Sequence, residues 1–182
     1  MIAWETSIPG VHRLRAERHE DARGSFERIF CRATLEEAGL PAVTVAQASI
    51  SRTVRARTIR GLHLQVSPHE ETKLVTCLAG RVYDVVADLR PWSPTYLRWE
   101  AHVLEPSDGA LFVPPGVAHG FQTLTHGVEL LYAITAAYAP DAATGARFDD
   151  PALGIAWPLP VGDISDRDLT FPPLAPARLE AS

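Results

Sequence analysis

Lys73-Leu74-Val75-Thr76-Cys77-Leu78-Ala79-Gly80-Arg81-Val82-Tyr83-Asp84-Val85-Val86-Ala87-Asp88-Leu89 decides the fold class of this chain. Two apolar runs of strand length flank Ala79-Gly80. In the second, Asp84 and Asp88 fall on one face and Tyr83, Val85 and Ala87 on the other, the period of two that a strand requires. The stretch predicts a β-hairpin, with strands over Lys73–Leu78 and Val82–Leu89 and a tight turn between them. Downstream, Leu111–Val113, the turn Pro114-Pro115-Gly116 and Ala118–Leu124 repeat that design. His126-Gly127 then turns into a strand over Val128–Tyr138. From about Val43 onward the chain is a series of short apolar or alternating runs, too closely spaced for βαβ units. Prolines fall between the runs, where a missing N–H does least harm. The pattern predicts an all-β antiparallel sandwich or small barrel.

Helix is scarce. Thr34-Leu35-Glu36-Glu37-Ala38-Gly39 reads as a capping box closed by a glycine, two turns at most. After Pro151 a Pro-rich tail with brief helical segments is expected to pack on the body. With 182 residues, 46% of them apolar, and no linker or repeat, one domain over 1–182 is expected.

The formal net charge of −5 and the absence of a Lys/Arg block give no footprint for nucleic acid or a membrane surface. Met1-Ile2-Ala3-Trp4-Glu5 does not begin a signal peptide, and no run approaches a membrane span, so a soluble cytoplasmic protein is expected. Cys31 and Cys77 lack metal or redox spacing and are read as reduced thiols without chemistry.

Arg60-Gly61-Leu62-His63-Leu64-Gln65 puts His63 and Gln65 on one strand face, beside a glycine that allows close approach. Arg60 offers a fork for phosphate, and Lys73 follows on the next strand. His119, just after the Pro114-Pro115-Gly116 turn, is either an inward site residue or a turn cap. Tyr132 shares a face with Leu130 and Ile134, as a core aromatic would. Asp168 lies in Ser165-Asp166-Arg167-Asp168, which on pattern alone is a helix cap. Together these residues assemble a chemistry. His can remove a proton next to a carbonyl, Lys can hold the enolate oxygen, and Tyr can return a proton. A carboxylate, Asp168 or Asp84, would orient the imidazole.

At this point the chain resembles the dTDP-4-dehydrorhamnose 3,5-epimerase family. The resemblance rests on Arg60–Gln65, Lys73-Leu74-Val75 and Asp84–Arg90, and on Pro115–Phe121, Glu129–Tyr132, Asp149-Asp150-Pro151, Trp157-Pro158 and Ser165–Asp168 in the same order. Asp21–Glu27 and Gln47 also fit. Many ordered motifs over most of the chain are far more specific than one short pattern.

The resemblance implies a cupin-type β-sandwich or jelly roll with a few short helices, acting as a homodimer on a dTDP-linked sugar. It implies His63 as base with Asp168 as its partner, Lys73 at the enolate and Tyr132 as acid. Gln47, Arg60, His119 and Tyr138 would contact substrate. Arg23, Phe26 and Glu27 would reach it from the other subunit through an exchanged N-terminal strand. No cofactor is implied, and the His63-Leu64-Gln65 strand lacks the second histidine of a metal-binding cupin, so no metal is expected.

Four positions depart from the family pattern: Ser49, Glu71 where glutamine is frequent, Ala143 and Phe148. All are expected near the substrate. The alternative is therefore an epimerase inverting one carbon of a different 4-keto deoxysugar nucleotide. A metal-dependent cupin oxygenase using His63, His102 or His119 as ligands, or a non-catalytic sugar-nucleotide binding module, would be different classes of answer.

Overall fold

The structure, a computed structural model, describes residues 1–174. Three groups of antiparallel strands run through it. One sheet has six strands in the order β1 (Ile2–Glu5), β2 (His12–Arg15), β10 (Ala110–Val113), β7 (Lys73–Ala79), β12 (Val128–Ile134) and β5 (Gln47–Thr53). The other has five, in the order β13 (Ala143–Gly145), β6 (Ile59–Gln65), β11 (Val117–Thr123), β8 (Val82–Asp88) and β9 (Trp99–Leu104). A separate hairpin pairs β3 (Arg18–Asp21) with β4 (Gly24–Glu27). Two short helices, α1 (Arg32–Glu37) and α2 (Asp166–Leu169), complete the described chain. The all-β jelly-roll expectation holds.

The hairpins do not. β7 and β8 never pair; β7 lies between β10 and β12, whereas β8 lies between β11 and β9. The turn at Gly80 carries the chain from one sheet to the other. The Pro114-Pro115-Gly116 and His126-Gly127 turns do the same, because β10 and β12 belong to the six-stranded sheet and β11 to the five-stranded one. A hairpin and a sheet-crossing corner leave the same trace in sequence, two alternating runs around a glycine turn. Only the partners along the sheet distinguish them. β12 also stops at Ile134, short of Tyr138.

Strand alternation then builds four layers. Val75, Val86, Leu111, Val113, Phe121 and Leu130 meet between the sheets. Their neighbours point outward: Leu74, Ala110 and Phe112 pack under Leu35, Leu40 and Val43. On the opposite side Leu62, Leu64, Val85 and Ala87 pack under Ala146, Leu153 and Trp157. Burial of these large side chains contributes roughly 1.5 to 3 kcal/mol each.

In the segment after Pro151, Asp163 O accepts from Ile59 N and Gly162 N donates to Arg57 O. Residues 175–182 of the tail lie outside the described residues.

Helix α1 begins earlier than its capping box implied. Its N-cap is Cys31, with no side-chain cap, and Thr34 lies within the first turn with its hydroxyl donating to Cys31 O. Gly39 does follow the helix, at φ +82°.

Candidate active site

The same alternation that fills one end of the sandwich with apolar residues leaves the other end polar. On β7 the inward set Val75 and Cys77 is continued by Lys73; on β12 Val128 and Leu130 are continued by Tyr132; on β11 Phe121 is continued by His119. These residues, with Gln47, Arg60, His63 and Tyr138, line a cavity of about 720 Å³ between the sheets.

A β-bulge sets the β6 wall. His63 is opposite His119, but Arg60 is opposite Phe121, so one extra residue of β6 is accommodated between the two pairs. Arg60 and His63, three apart, thereby share the cavity face. The bulge needs Gly61: its φ is +122°, and a Cβ there would lie 2.5 Å from Gly120 Cα. Arg60 reaches across to the other sheet, where its Nε donates to Thr53 Oγ1 at 3.0 Å.

His63 Nε2 lies 2.7 Å from Asp168 Oδ1. Asp168 also accepts from Gly61 N at 3.0 Å, while its own N–H donates to Ser165 Oγ at 3.2 Å. Residue 168 thus belongs to the cap expected from the pattern, yet its carboxylate turns away from the cap toward His63. Burial would raise the Asp168 carboxyl, but the His63, Gly61 and Ser165 contacts outweigh it and hold it below the usual carboxylate range. An ionised Asp168 accepting from Nε2 assigns the imidazole proton there and leaves the Nδ1 lone pair for a substrate proton.

His119 is held separately. Its Nε2 lies 2.9 and 3.0 Å from the two oxygens of Asp84, and both side chains are buried. The turn-cap alternative for His119 therefore falls. Its ring meets Tyr132 edge to face at 5.8 Å. Burial first, and then the Asp84 charge, push the Tyr132 phenol above its ordinary value, against the opposing pull of Arg60. Tyr132 keeps its proton.

Lys73 Nζ donates to Glu71 Oε1 at 2.6 Å and to His63 O at 3.1 Å. Burial lowers the ammonium from its usual value, and the charge and hydrogen bond of Glu71 oppose that. Gln65 has both of its N–H donors engaged. Its amide donates to His69 O and Ala137 O and accepts from Ala139 N, shaping the loop that carries Tyr138. Tyr138 Oη accepts from Arg167 at 3.4 Å.

Arg23, Phe26 and Glu27 are not brought to this cavity. They lie on the β3–β4 hairpin, where Arg23 pairs with Asp21 and Phe26 is 65% exposed. Of the four departures, Ser49, Glu71 and Ala143 line the cavity. Phe148 does not; its carbonyl accepts from Trp157 Nε1, so the expectation that it lies near substrate is corrected. His102 pairs with Glu100 on β9 away from His63, and among the described residues no three His, Cys, Asp or Glu side chains converge as metal ligands.

Sequence reasoning did not see the Glu71–Lys73 pair, nor a signal that would have marked it. Lys73 is the single lysine among 17 Lys and Arg residues. The other sixteen are arginines, and this lysine is a compact, tunable cation buried beside a carboxylate.

Comparison with known proteins places the chain in a family. The family model described as dTDP-4-dehydrorhamnose 3,5-epimerase matches residues 5–176. A dTDP-4-dehydrorhamnose 3,5-epimerase of Sinorhizobium fredii is 38% identical over 170 residues, 92% of this chain and 87% of that protein. The crystal structure of a Bacillus anthracis dTDP-4-dehydrorhamnose 3,5-epimerase, with TDP and PPi bound, superposes with a TM-score of 0.89 at 35% identity, covering 94% of this chain and 98% of that one. A 3'-monoepimerase of Streptomyces bikiniensis in complex with dTDP-quinovose gives 0.85 at 32% identity, covering 92% and 85%. Since the matched region contains every cavity residue described above, the chain belongs to the dTDP-4-dehydrorhamnose 3,5-epimerase family.

Proposed function

We propose that the chain is an isomerase that epimerises a dTDP-linked 4-keto-6-deoxyhexose at C3 and C5 through an enolate. One observation carries this reading. His63 on β6 and Tyr132 on β12 belong to opposite sheets, so the base and the acid stand on opposite walls of one cavity. Inversion at a carbon requires that arrangement, because the proton must leave one face and return to the other.

In this reading His63 removes the proton next to the ketone, and Asp168 stabilises the resulting imidazolium. Lys73 holds the enolate oxygen, and Tyr132 delivers the new proton. Arg60, Gln47, His119 and Tyr138 contact the sugar or diphosphate. Arg23, Phe26 and Glu27 serve the partner's cavity in a homodimer, which accounts for exposed apolar and basic groups on a hairpin remote from their own site. The reaction asks for no metal or cofactor, and the enzyme works in the cytoplasm. No helix of the described residues is long and apolar enough to cross a membrane.

Turnover in D2O of a small panel of dTDP-4-keto-6-deoxyhexoses tests the proposal. Deuterium at both C3 and C5 of the product supports it, and absence of exchange from every substrate sinks it. A second reading, inversion at one carbon, is favoured by Ser49, Glu71 and Ala143 at the cavity wall and by the likeness to a 3'-monoepimerase. Deuterium at a single carbon would establish it.

A further inference from the structure

The proposed chemistry leaves Glu71 without a task, although it faces the cavity and ion-pairs with Lys73 at 2.6 Å. An ammonium has three N–H donors. Glu71 Oε1 takes one and His63 O a second, so one remains for a ligand oxygen. Lys73 and Glu71 side chains are only 8% and 7% exposed, and screening of their interaction by water and salt is correspondingly weak. The other ionisable groups facing the cavity are Arg60 and His63 on β6, His119 on β11, Tyr132 on β12, and Tyr138, Asp163, Arg167 and Asp168 beyond the sheets. None of their side chains hydrogen-bonds or ion-pairs with Nζ.

We propose, resting on the epimerase reading above, that Glu71 is a positioning residue for Lys73. It keeps the ammonium charged inside the cavity and aims the remaining N–H at the ketone oxygen. The same carboxylate stands close to the developing enolate and weakens the pull of the cation on it. The site thus keeps its cation toward alkaline pH while working more slowly wherever that cation would be charged anyway. Burial presses the ammonium to discharge and Glu71 opposes it, in keeping with this role.

The lone lysine makes the proposal readable without substrate. Protein grown on [ε-13C]lysine has one lysine side-chain resonance, and its pH titration reports Lys73 alone. Glu71→Gln keeps the shape and an acceptor but removes the charge, and its midpoint is expected to fall by about one pH unit or more, a tenfold change in charged fraction. Glu71→Asp, which restores the carboxylate on a shorter arm, should recover part of that fall. The kcat–pH profiles of wild type and Glu71→Gln should cross. The variant is at least as fast below the crossing and falls off earlier above it.

An unmoved resonance in folded Glu71→Gln, verified by circular dichroism, overturns the proposal. So does a loss of activity equal at every pH. A moved midpoint in a protein that epimerises nothing supports the pairing and overturns the reaction on which its purpose rests.

Discussion

His63 and His119 are register partners on adjacent strands, yet each imidazole is held by a different carboxylate. Asp168, from the C-terminal tail, takes His63, and Asp84, from β8, takes His119. The two histidines are therefore not interchangeable. His63→Ala should remain folded and lose proton exchange by on the order of 10² to 10⁴-fold, the usual contribution of a positioned base. Asp168→Asn should lose much of the same activity, whereas His119→Asn should act mainly on KM. Exchange at wild-type rate in folded His63→Ala, followed by NMR in D2O, would remove His63 from the mechanism.

Tyr132 retains its proton because it is buried near Asp84, which suits a donor and not a base. Tyr132→Phe is expected to keep deuterium exchange at the carbon that His63 attacks and to lose net inversion, more at C5 than at C3. Separate measurement of exchange and stereochemistry in one reaction distinguishes the two. Undiminished inversion would transfer the role to another acid, with Tyr138 the next to test.

The Arg23 side chain is 90% exposed, and its ion pair with Asp21 is of a kind worth little on a surface. If it serves a partner's cavity, mixing Arg23→Ala with His63→Ala under conditions of subunit exchange should recover activity in one of the two sites of each heterodimer. Each parent alone stays weak. Failure to recover despite exchange verified by mass spectrometry would confine Arg23 to its own subunit.

Asp88 anchors the loop after β8. Burial would raise its carboxyl, but Arg90, Ser93 and Thr95 hydrogen-bond to it and bring it down to about 2. A folded-state value below the unfolded one of about 3.9 gives stability that is present above about pH 4 and lost as pH falls through about 2. Asp88→Asn should destabilise by roughly 1.5 to 3 kcal/mol at neutral pH, as loss of hydrogen bonds to a charged group does. The gap in Tm between the two proteins should close between pH 4 and pH 2. A gap independent of pH would show that shape, not charge, is what Asp88 supplies.

Much of this was legible in the chain. Period-two alternation put Asp84 and Asp88 on one face of β8, opposite Tyr83, Val85 and Ala87, and grouped Tyr132 with Leu130 and Ile134 on β12, before any strand partner was known. Partner identity was not legible, because the glycine turns at 80, 116 and 127 serve a corner as well as a hairpin. Arg60 and His63 share a wall only through the bulge at Gly61, and an alternation rule applied to β6 would have put them on opposite faces. Asp168 was harder still. Its local pattern is that of a cap, its backbone does take part in one, and nothing within four residues announces that its carboxylate belongs to His63, 105 positions earlier.

That separation has a consequence for how the protein is made. Asp168 follows all thirteen strands of the described residues in chain order, so during synthesis the two sheets can close before the proposed base has its partner. In the proposed mechanism, a ribosome-bound chain halted before residue 168 would lack the carboxylate that orients His63 and would lose much of its activity. Full activity in that mechanism then waits on the docking of one short helix, and that late turn of chain acts as the inspector of the sheets folded before it.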